Sequence, residues 1–399
     1  MTLADPNLDV AIAGGGPVGL TLALALAKQD FRVCVVDAGA RRDGTIGASD
    51  GRAFFVAFGC WRIWRALGLE PDLLAHAEPV ISVEAKGQAG AISFLAEDCE
   101  NEPVLGYMIE QGPLVATLEA ALRRGGQRLE ACEVAGARFG DPSARLTTTQ
   151  GDLRAALIVG CDGTRSGVRA AAGIRYEGWD YPARAISTTV TIKASHGGAA
   201  RQIFLPSGPM AALPLSGDRI NLVWTERAPV AEALMALDEK GFEAELANRA
   251  GDFLPEVKLA GKRHSFPTGL HVAERFHGAR LALAGDSAHQ IHPLAGQGLN
   301  LGLKDVAALV DVISEAARAG LDIGAETALA PYTRWRRADV VASAAAMEGF
   351  SRIFAAPAPV RIAAALAMQA VGAVAPARKL FAQEAGGVIG ELPSLMRAG

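Results

Sequence analysis

The sequence predicts an α/β protein: a Rossmann-like domain with a mainly parallel sheet, interleaved with a mostly antiparallel β-sheet domain and followed by a C-terminal helical tail. Three observations support this fold class. A short apolar run at 9–13 ends at a glycine cluster and leads into a helical segment. Several strand-like runs follow one another between residues 185 and 225, and residues 346–399 are rich in alanine.

The composition narrows the class of protein. The chain has 399 residues, enough for more than one domain. Hydrophobic residues make up 50% and charged residues 21%, proportions that exclude intrinsic disorder. The net charge of −4 argues against nucleic-acid binding. The charge is uneven, because residues 331–399 contain eight Lys and Arg against four Asp and Glu.

The cysteines and the apolar stretches predict a cytoplasmic protein, soluble or peripheral at the inner face of the membrane. Five scattered cysteines without a Cys-x-x-Cys pair indicate reduced thiols. Asp5 and Asp9 stand where a signal peptide carries basic residues, and the apolar stretch at 362–375 is too short to span a bilayer. The basic tail suits a helix on an anionic membrane, and packing within the protein or a dimer is the alternative.

The first elements form a strand–helix–strand unit. Residues 9–13 predict a buried strand, 20–28 a helix, and 31–36 a second buried strand that ends at Asp37. Helices are also expected at 59–69, 114–124, 230–237 and 299–319, and α/β-type strands at 157–160 and 281–284.

Strand-like runs replace this alternation after residue 176. The last two of them predict a hairpin about residues 216–218, and the runs cover 185–193, 201–206, 210–215 and 219–225. The predicted domains are a discontinuous Rossmann-like domain (1–75, 101–175 and 270–345), a β-sheet domain (76–100 and 176–269) and a C-terminal helical region (346–399).

A glycine-rich loop predicts dinucleotide binding. In GGGPVG, residues 14–19, Gly14 permits a tight turn, Gly16 allows close approach of a pyrophosphate, and Gly19 allows a helix to pack on a strand. The helix that follows presents its N-terminus to the phosphates. Asp37 is placed to bind ribose hydroxyls. The motif alone does not separate NAD from FAD.

Two further segments resemble known sequence motifs and favour FAD over NAD. LIVGCDGTRSGVR at 157–169 and LALAGDSAHQIHPLAGQGLN at 281–300 resemble the second and third fingerprints of class A flavoprotein monooxygenases, which have the p-hydroxybenzoate hydroxylase fold. The resemblance implies FAD as cofactor, NAD(P)H or another electron donor such as a small redox protein, and O2 as co-substrate. It also implies that the discontinuous Rossmann-like domain is the FAD-binding domain and that the β-sheet domain is the substrate-binding domain.

The chain resembles more closely the ubiquinone-biosynthesis (2-polyprenylphenol) aromatic hydroxylases of that class. The similarity covers nearly the whole chain, and its blocks include DGRA at 50–53, FLPSGP at 204–209, PLAGQGLNLGLKD at 293–305 and YTRWRR at 332–337. It implies that a flavin C4a-hydroperoxide hydroxylates the ring of a polyprenylated phenol. Other quinone-biosynthesis proteins are then expected partners, and the oligomeric state stays open.

The same resemblance assigns the cofactor site. Arg52 and Gln111 are placed at the FAD phosphate and ribose, although the segment around Gln111 reads EQG here where the family more often has ENR. The expected FAD-binding residues are Gly14, Gly16, Pro17, Val18, Gly19, Asp37, Arg52, Gln111, Val134, Asp162, Gly163, Gly285, Asp286, Pro293, Gly298, Leu299 and Asn300.

A flavin-facing loop is expected before the long helix, where backbone N–H groups can stabilise negative charge on the flavin. Its residues are Pro293, Gly296, Gly298, Leu299 and Asn300. No acid or base that activates the phenol is assigned, and no metal is expected at His289 and His292. The expected substrate-pocket residues are Phe204, Leu213, Leu215 and Trp224, taken to face one side of the sheet.

Three readings compete with this function: an FAD-dependent hydroxylase of a small soluble phenol, a flavin-dependent prenyl-lipid reductase, and a non-catalytic scaffold. The intact glycine motif together with Asp162 and Asp286 argues against the scaffold. The arginines at 334, 336 and 337 are interpreted as a solvated helix face.

Overall fold

The structure is a computed structural model. It describes residues 8–39, 51–87, 90–99, 102–205, 207–254, 256–291, 296–355 and 374–397, with single positions at 359 and 363. Predictions for Pro293, His292 and most of 356–373 lie outside these residues.

The described elements are numbered along the chain. The strands are β1 (Leu8–Ala13), β2 (Val33–Val36), β3 (Ala53–Ala57), β4 (Ala77–Val80), β5 (Ser82–Gly87), β6 (Gly90–Leu95), β7 (Gly106–Glu110), β8 (Arg128–Glu130), β9 (Val134–Arg138), β10 (Ala144–Thr148), β11 (Gly151–Gly160), β12 (Tyr176–Thr191), β13 (Ala199–Leu205), β14 (Gly208–Leu215), β15 (Arg219–Arg227), β16 (Lys258–Leu259), β17 (His264–Ala273), β18 (His277–Gly278), β19 (Leu281–Leu283) and β20 (His289–Gln290). The α-helices are α1 (Pro17–Ala27), α2 (Phe58–Ala66), α3 (Glu70–Leu74), α4 (Gln111–Arg124), α5 (Gly167–Ala171), α6 (Ala228–Ala236), α7 (Glu239–Ala250), α8 (Gln297–Arg318), α9 (Glu326–Ala355) and α10 (Ala375–Ala385).

A mainly parallel sheet carries the predicted strand–helix–strand unit. Its parallel strands lie in the order β8–β2–β1–β11–β19, and β9, β10 and β18 join by antiparallel pairing. β1 and β2 are apolar on both faces because both faces are covered. The carboxyl ends of β1, β2, β11 and β19 therefore meet at one edge, where ligands of such sheets bind.

A mostly antiparallel sheet, called the antiparallel sheet below, forms a second layer in the order β20–β17–β12–β15–β14–β13–β5–β6, with β16 on β12. Its β13 and β5 pair in parallel. The predicted hairpin is confirmed, since Leu215 pairs with Arg219. β12 begins at Tyr176, earlier than predicted, because its polar first half pairs with β17. One face of this sheet packs on α6 and α7 through a separate hydrophobic cluster that includes Ile186 and Phe242.

A three-stranded sheet, β3–β7–β4, was not predicted. Its strands are four or five residues long, too short for an apolar run to reveal its period. Phe55 and Met108 of this sheet share a hydrophobic cluster with Leu213 and Leu215 of the antiparallel sheet. The small sheet therefore connects the antiparallel sheet to the start of α2.

The C-terminal segment returns to the parallel half of the molecule. Gly59 N–H donates to the Gly386 carbonyl (2.9 Å), and Arg62 donates to the Met396 carbonyl (3.3 Å). Among the described residues, no helix is both long and apolar enough to cross a membrane.

Candidate cofactor and active site

The glycine-rich loop is shaped by close approaches of the backbone. Gly14 has φ +106°, and a Cβ atom there would lie 2.2 Å from the Cys161 carbonyl oxygen. A Cβ atom on Gly19 would lie 2.0 Å from the Gly14 carbonyl oxygen. A Cβ atom on Gly16, in contrast, would meet no atom within 4 Å. Gly14 and Gly19 are therefore required by the fold itself, whereas Gly16 leaves space open to a ligand.

This open space faces the beginning of α1. The helix starts at Pro17, directly after Gly16, and no side chain caps it. The N–H groups of a first helical turn have no partner within the helix, and they carry a partial positive charge. Pro17 has no N–H, so Val18 and Gly19 supply the donors of this turn. The arrangement suits an anionic group such as a pyrophosphate.

Asp37 holds the loop from the side. It follows β2, and its carboxylate accepts hydrogen bonds from the N–H groups of Gly15 and Gly39, each at 2.6 Å. The carboxylate is therefore next to the glycine-rich loop. Its contact with a ribose stays a prediction.

The second predicted segment lies at the end of β11. Cys161 N–H donates to the Ala13 carbonyl (2.7 Å), which joins this segment to the glycine-rich loop. Asp162 accepts from Val168 N–H (3.1 Å) through one carboxylate oxygen, while the other is buried and has no hydrogen-bond partner among the described residues. Gly163 has φ +78°, a left-handed conformation that favours glycine. Asp162 therefore shapes the turn after β11.

Arg169 joins the second segment to the third. Its guanidinium donates to the carbonyls of Thr164 (2.6 Å) and Ser287 (2.8 Å) and lies over the ring of Tyr176, 3.8 Å from its centre. The Tyr176 hydroxyl in turn donates to the Asp286 carbonyl (2.9 Å). These contacts align the two predicted segments side by side.

The third segment is held by a buried carboxylate on α8. Asp305 is fully buried and accepts from Gly285 N–H (2.9 Å), the His289 ring (Nε2, 2.6 Å) and Arg336 Nε (2.7 Å). We call Asp305, His289 and Arg336 the buried charge cluster. The cluster fixes the Gly285–Asp286 turn against α8.

The pKa values in this region follow from burial and charge. Burial acts to raise the pKa of Asp305, but the charges and hydrogen bonds of His289 and Arg336 outweigh it and hold that pKa below its usual value. Burial, with the nearby Asp305 carboxylate, raises the pKa of Asp286, and His289 opposes the rise. The Asp286 side chain is nonetheless accessible to solvent. A carboxylate crowded by protein atoms yet accessible lies on the wall of a cleft.

One sequence interpretation is wrong. Arg336 is only 2% exposed and is not part of a solvated helix face, whereas Arg334 and Arg337 are exposed as expected. A signal was present, because Arg336 falls on the buried stripe of α9 with Leu329, Tyr332 and Val340. A charged residue on such a stripe indicates a buried partner, here Asp305.

The predicted flavin-facing loop leads into α8. The helix begins at Gln297, after Gly296 with φ +63°, and no side chain caps it. The Asn300 side chain is buried: it donates to the Phe55 carbonyl (2.9 Å) and accepts from Ala57 N–H (2.9 Å). Only its backbone is thus available for the predicted flavin contact. A Cβ atom on Gly298 would meet no atom within 4 Å, so space is open here as at Gly16.

Close packing brings the two helix starts together. Val18, in the first turn of α1, packs directly against Gly285 and Gly302. A Cβ atom added to Gly285 would lie 3.2 Å from the Val18 side chain, and one added to Gly302 would lie 2.7 Å from it. Glycine is needed at Gly302 because any side chain would separate α8 from α1. Both uncapped N-termini consequently border one region, at the edge where the parallel strands end.

The remaining predicted cofactor residues lie directly before β3 (Arg52), at the start of α4 (Gln111) and at the start of β9 (Val134). Gln111 N–H donates to the Arg52 carbonyl (3.0 Å), so these two residues are adjacent, and the Arg52 side chain is exposed. Val134 begins β9 and is partly buried. Glu110, in the segment that departs from the family pattern, accepts from Arg219 (3.2 Å) of the antiparallel sheet.

The four predicted substrate-pocket residues do not share one face. Register places Phe204, Leu213 and Leu215 on one side of the antiparallel sheet and Trp224 on the other. Trp224 is fully buried and packs near Phe242 of α7, so the expectation that it lines the same wall is wrong. The strand alternation was predicted correctly within β14, but the relative register of neighbouring strands comes only from the structure.

This set of features fits a long anionic cofactor. Two uncapped helix starts, each beside a glycine with open space, suit a phosphate-bearing group at one end and an electron-rich ring at the other. Asp37 and the accessible Asp286 supply acceptors for hydroxyl groups along the way. The residues present therefore fit FAD.

Comparison with known proteins agrees. Residues 7–346 match the family model described as FAD binding domain. The chain is 39% identical over 406 residues to a ubiquinone hydroxylase, UbiL, of Rhodospirillum rubrum, covering 99% of this chain and 94% of that protein. It is 32% identical to the 3-demethoxyubiquinol 3-hydroxylase of Escherichia coli, covering 84% and 87%. Among solved structures, p-nitrophenol 4-monooxygenase PnpA of Pseudomonas putida matches its fold with a TM-score of 0.80 at 20% identity, covering 94% and 97%.

The protein is an FAD-dependent monooxygenase with the p-hydroxybenzoate hydroxylase fold. Within that class, the chain belongs to the family of ubiquinone-biosynthesis hydroxylases that carry the FAD-binding domain.

Alanine substitutions in the glycine-rich loop should separate binding from folding. Gly16→Ala should have a free energy of unfolding within about 0.5 kcal/mol of the wild-type value, because no atom lies close to the added Cβ atom. The same variant should bind FAD at least tenfold more weakly. Gly14→Ala should be destabilised, since its Cβ atom overlaps a carbonyl. Urea unfolding of the apoproteins and fluorescence titration with FAD measure both effects. Wild-type FAD affinity in Gly16→Ala would contradict the assignment.

Removal of Arg336 should lower the free energy of unfolding and raise the pH at which acid unfolding begins. Arg336→Met leaves Asp305 with one fewer partner, and we expect a loss of about 3–5 kcal/mol. The matched control Arg334→Met, at an exposed site, should change stability by less than about 0.5 kcal/mol.

The pH dependence has a defined sign. A carboxyl whose pKa is lowered on folding contributes stability above its unfolded pKa, and this contribution disappears as the pH falls through the folded value. Arg336→Met raises the folded pKa of Asp305, so its acid unfolding should begin at higher pH. Equal acid-unfolding profiles for the two methionine variants would show that Arg336 does not stabilise the Asp305 carboxylate.

Proposed function

We propose that the protein hydroxylates the aromatic ring of a polyprenylated phenol, an intermediate of ubiquinone biosynthesis, with O2 and a reduced donor such as NAD(P)H. The observation that carries the proposal is the 39% identity to a ubiquinone hydroxylase over 99% of the chain. A ubiquinone biosynthesis monooxygenase of mouse mitochondria, COQ6, is also 28% identical over 94% of the chain.

A hydrophobic cluster beside α8 supports this substrate class. The Cβ atom of Phe55 lies 3.3 Å from the place that a Cβ atom on Gly296 would occupy. Phe55 also belongs to the same hydrophobic cluster as Leu213. Apolar side chains are thus continuous from the start of α8 to the face of the antiparallel sheet. A phenol with a prenyl chain can bury its apolar parts against the partly exposed members of this cluster, such as Leu213.

The roles of the chain are binding, orientation and exclusion of water. When bound, FAD supplies the redox chemistry that activates O2. The first turn of α1 binds phosphate, and the buried charge cluster orients the Gly285–Asp286 turn. The positive N-terminus of α8 would stabilise negative charge on the ring of a bound flavin. Phe55 and Leu213 would exclude water beside the start of α8, and no residue is assigned as acid or base toward the phenol.

The reaction is tested by isotope labelling with the FAD-loaded protein. We expect turnover of prenylphenols under ¹⁸O2 to place one labelled oxygen atom on the ring, detected by mass spectrometry. Gly16→Ala, which should bind FAD at least tenfold more weakly, is the matched control. It should give much less labelled product than wild type at an FAD concentration that loads only the wild type.

Other outcomes point to the competing functions. Saturation of a prenyl double bond without O2 consumption identifies a reductase and refutes the hydroxylase. Faster turnover of short soluble phenols than of their prenylated counterparts refutes the polyprenyl substrate while keeping the hydroxylation.

We also propose that the protein is cytoplasmic and binds the inner face of the membrane through α10, in association with other quinone-biosynthesis proteins. Leu380 on α10 is 58% exposed, the preceding Val374 is 53% exposed, and Leu95 on the neighbouring β6 is 41% exposed. Residues 331–399 carry an excess of basic side chains, which favours anionic lipids.

Vesicle binding tests the membrane contact. The wild type should co-sediment with vesicles that contain anionic lipid more than with neutral vesicles, and Leu380→Glu should lower the bound fraction several-fold. Leu321→Glu, at an equally exposed leucine outside this surface, is the control and should bind like wild type. Equal binding by the two variants would refute the role of α10.

A further inference from the structure

The carbonyl of Gly51 is a junction between two sheets. It accepts hydrogen bonds from the Asn221 side chain (Nδ2, 2.7 Å) and from the Ser187 hydroxyl (3.0 Å). Both donors are buried on central strands of the antiparallel sheet, β15 and β12. Gly51 has φ +78°, and a Cβ atom there would lie 2.7 Å from the Lys262 carbonyl oxygen. The position of this carbonyl is therefore set by the antiparallel sheet.

Arg52 follows and leads into β3. Its own carbonyl accepts from Gln111 N–H (3.0 Å), and the next residue pairs with Glu110 of β7. The far end of β3 is bound to α8 by the Asn300 side chain. Residues 51–57 thus run from the antiparallel sheet to the helix start that borders the cofactor region, and the Arg52 side chain is exposed along this path.

Asn221 is unusual for a buried position. Its Nδ2 donates to Gly51, to Thr188 and to the Ser187 hydroxyl, but its Oδ1 has no hydrogen-bond partner among the described residues. A buried amide oxygen without a partner costs stability, whereas a leucine of similar size would avoid that cost. The amide therefore serves as a donor toward Gly51 rather than as packing.

We propose that Asn221, supported by Ser187, is a positioning residue that directs the Arg52 guanidinium toward FAD. Because the peptide group is planar, fixing the direction of the Gly51 carbonyl also fixes the Arg52 N–H and Cα. This inference rests on the FAD-dependent function above and deepens it. It makes the affinity for FAD depend on a side chain of the antiparallel sheet that acts only through Arg52.

A double-mutant cycle tests this coupling. FAD affinity is measured by fluorescence titration of the apoproteins of wild type, Asn221→Leu, Arg52→Gln and the double variant, with circular dichroism to verify folding. We expect each single variant to bind FAD about tenfold more weakly and the double variant to be no weaker than Arg52→Gln, because Asn221 acts through Arg52. The salt dependence of FAD binding should decrease equally in all three variants, since each loses the same cationic contact.

Control variants separate positioning from general damage. Thr225→Val, a buried near-isosteric change on the same strand, should bind FAD like wild type. Ser187→Ala, which keeps Asn221, should give a smaller loss in the same direction. It replaces Asn221→Leu in the cycle if that variant does not fold.

The outcomes are distinct. A double variant about a hundredfold weaker than wild type, or an Asn221→Leu variant with wild-type affinity, overturns the positioning role. Arg52→Gln with wild-type affinity overturns it too, because the guanidinium then makes no FAD contact. If the wild-type apoprotein itself does not bind FAD, the proposed function fails instead.

Discussion

The cofactor region depends on one buried carboxylate. Asp305 lies inside α8, where an uncompensated charge is strongly unfavourable, and it is stabilised there by Arg336 of α9 and by His289. Its Oδ2 atom, which also bonds His289, accepts a hydrogen bond from the backbone N–H of Gly285. Three parts of the chain that are far apart in sequence are thereby held at fixed distances. The turn that carries Asp286 can face a ligand because its back is held by this charge cluster.

Glycine residues allow close packing of α1 and α8 beside the buried charge cluster. Val18 packs closely against Gly285 and Gly302, which lets α1 and α8 approach until their first turns border the same region. Neither helix has a side-chain cap, so both leave N–H donors for a ligand. An elongated cofactor with a pyrophosphate near one helix and an electron-rich ring near the other fits this pair. The glycines thus have two roles, since some permit packing and others, such as Gly16 and Gly298, leave room.

The two faces of the antiparallel sheet make different contacts. One of its faces is closed by α6 and α7, which removes Trp224 from any ligand surface. The other face carries apolar side chains toward the three-stranded sheet and polar donors toward Gly51. Through β3 this face is continuous with the start of α8. β3 therefore joins the face of this sheet that carries Leu213 to the helix start that borders the cofactor region.

The sequence by itself determined the class of fold, the glycine-rich loop and the family, because these depend on local features: apolar runs, glycines at fixed spacing and segments that resemble known fingerprints. Tertiary structure decided the rest. Burial of Arg336, the face occupied by Trp224 and the three-stranded sheet depend on partners distant in sequence. From sequence alone, a charged residue is predicted to be exposed unless its buried partner is known. The face of a sheet on which a strand residue lies depends on the register with the neighbouring strands. Asp305 and Asn221 gain their roles only where folding brings Gly285 and Gly51 to them.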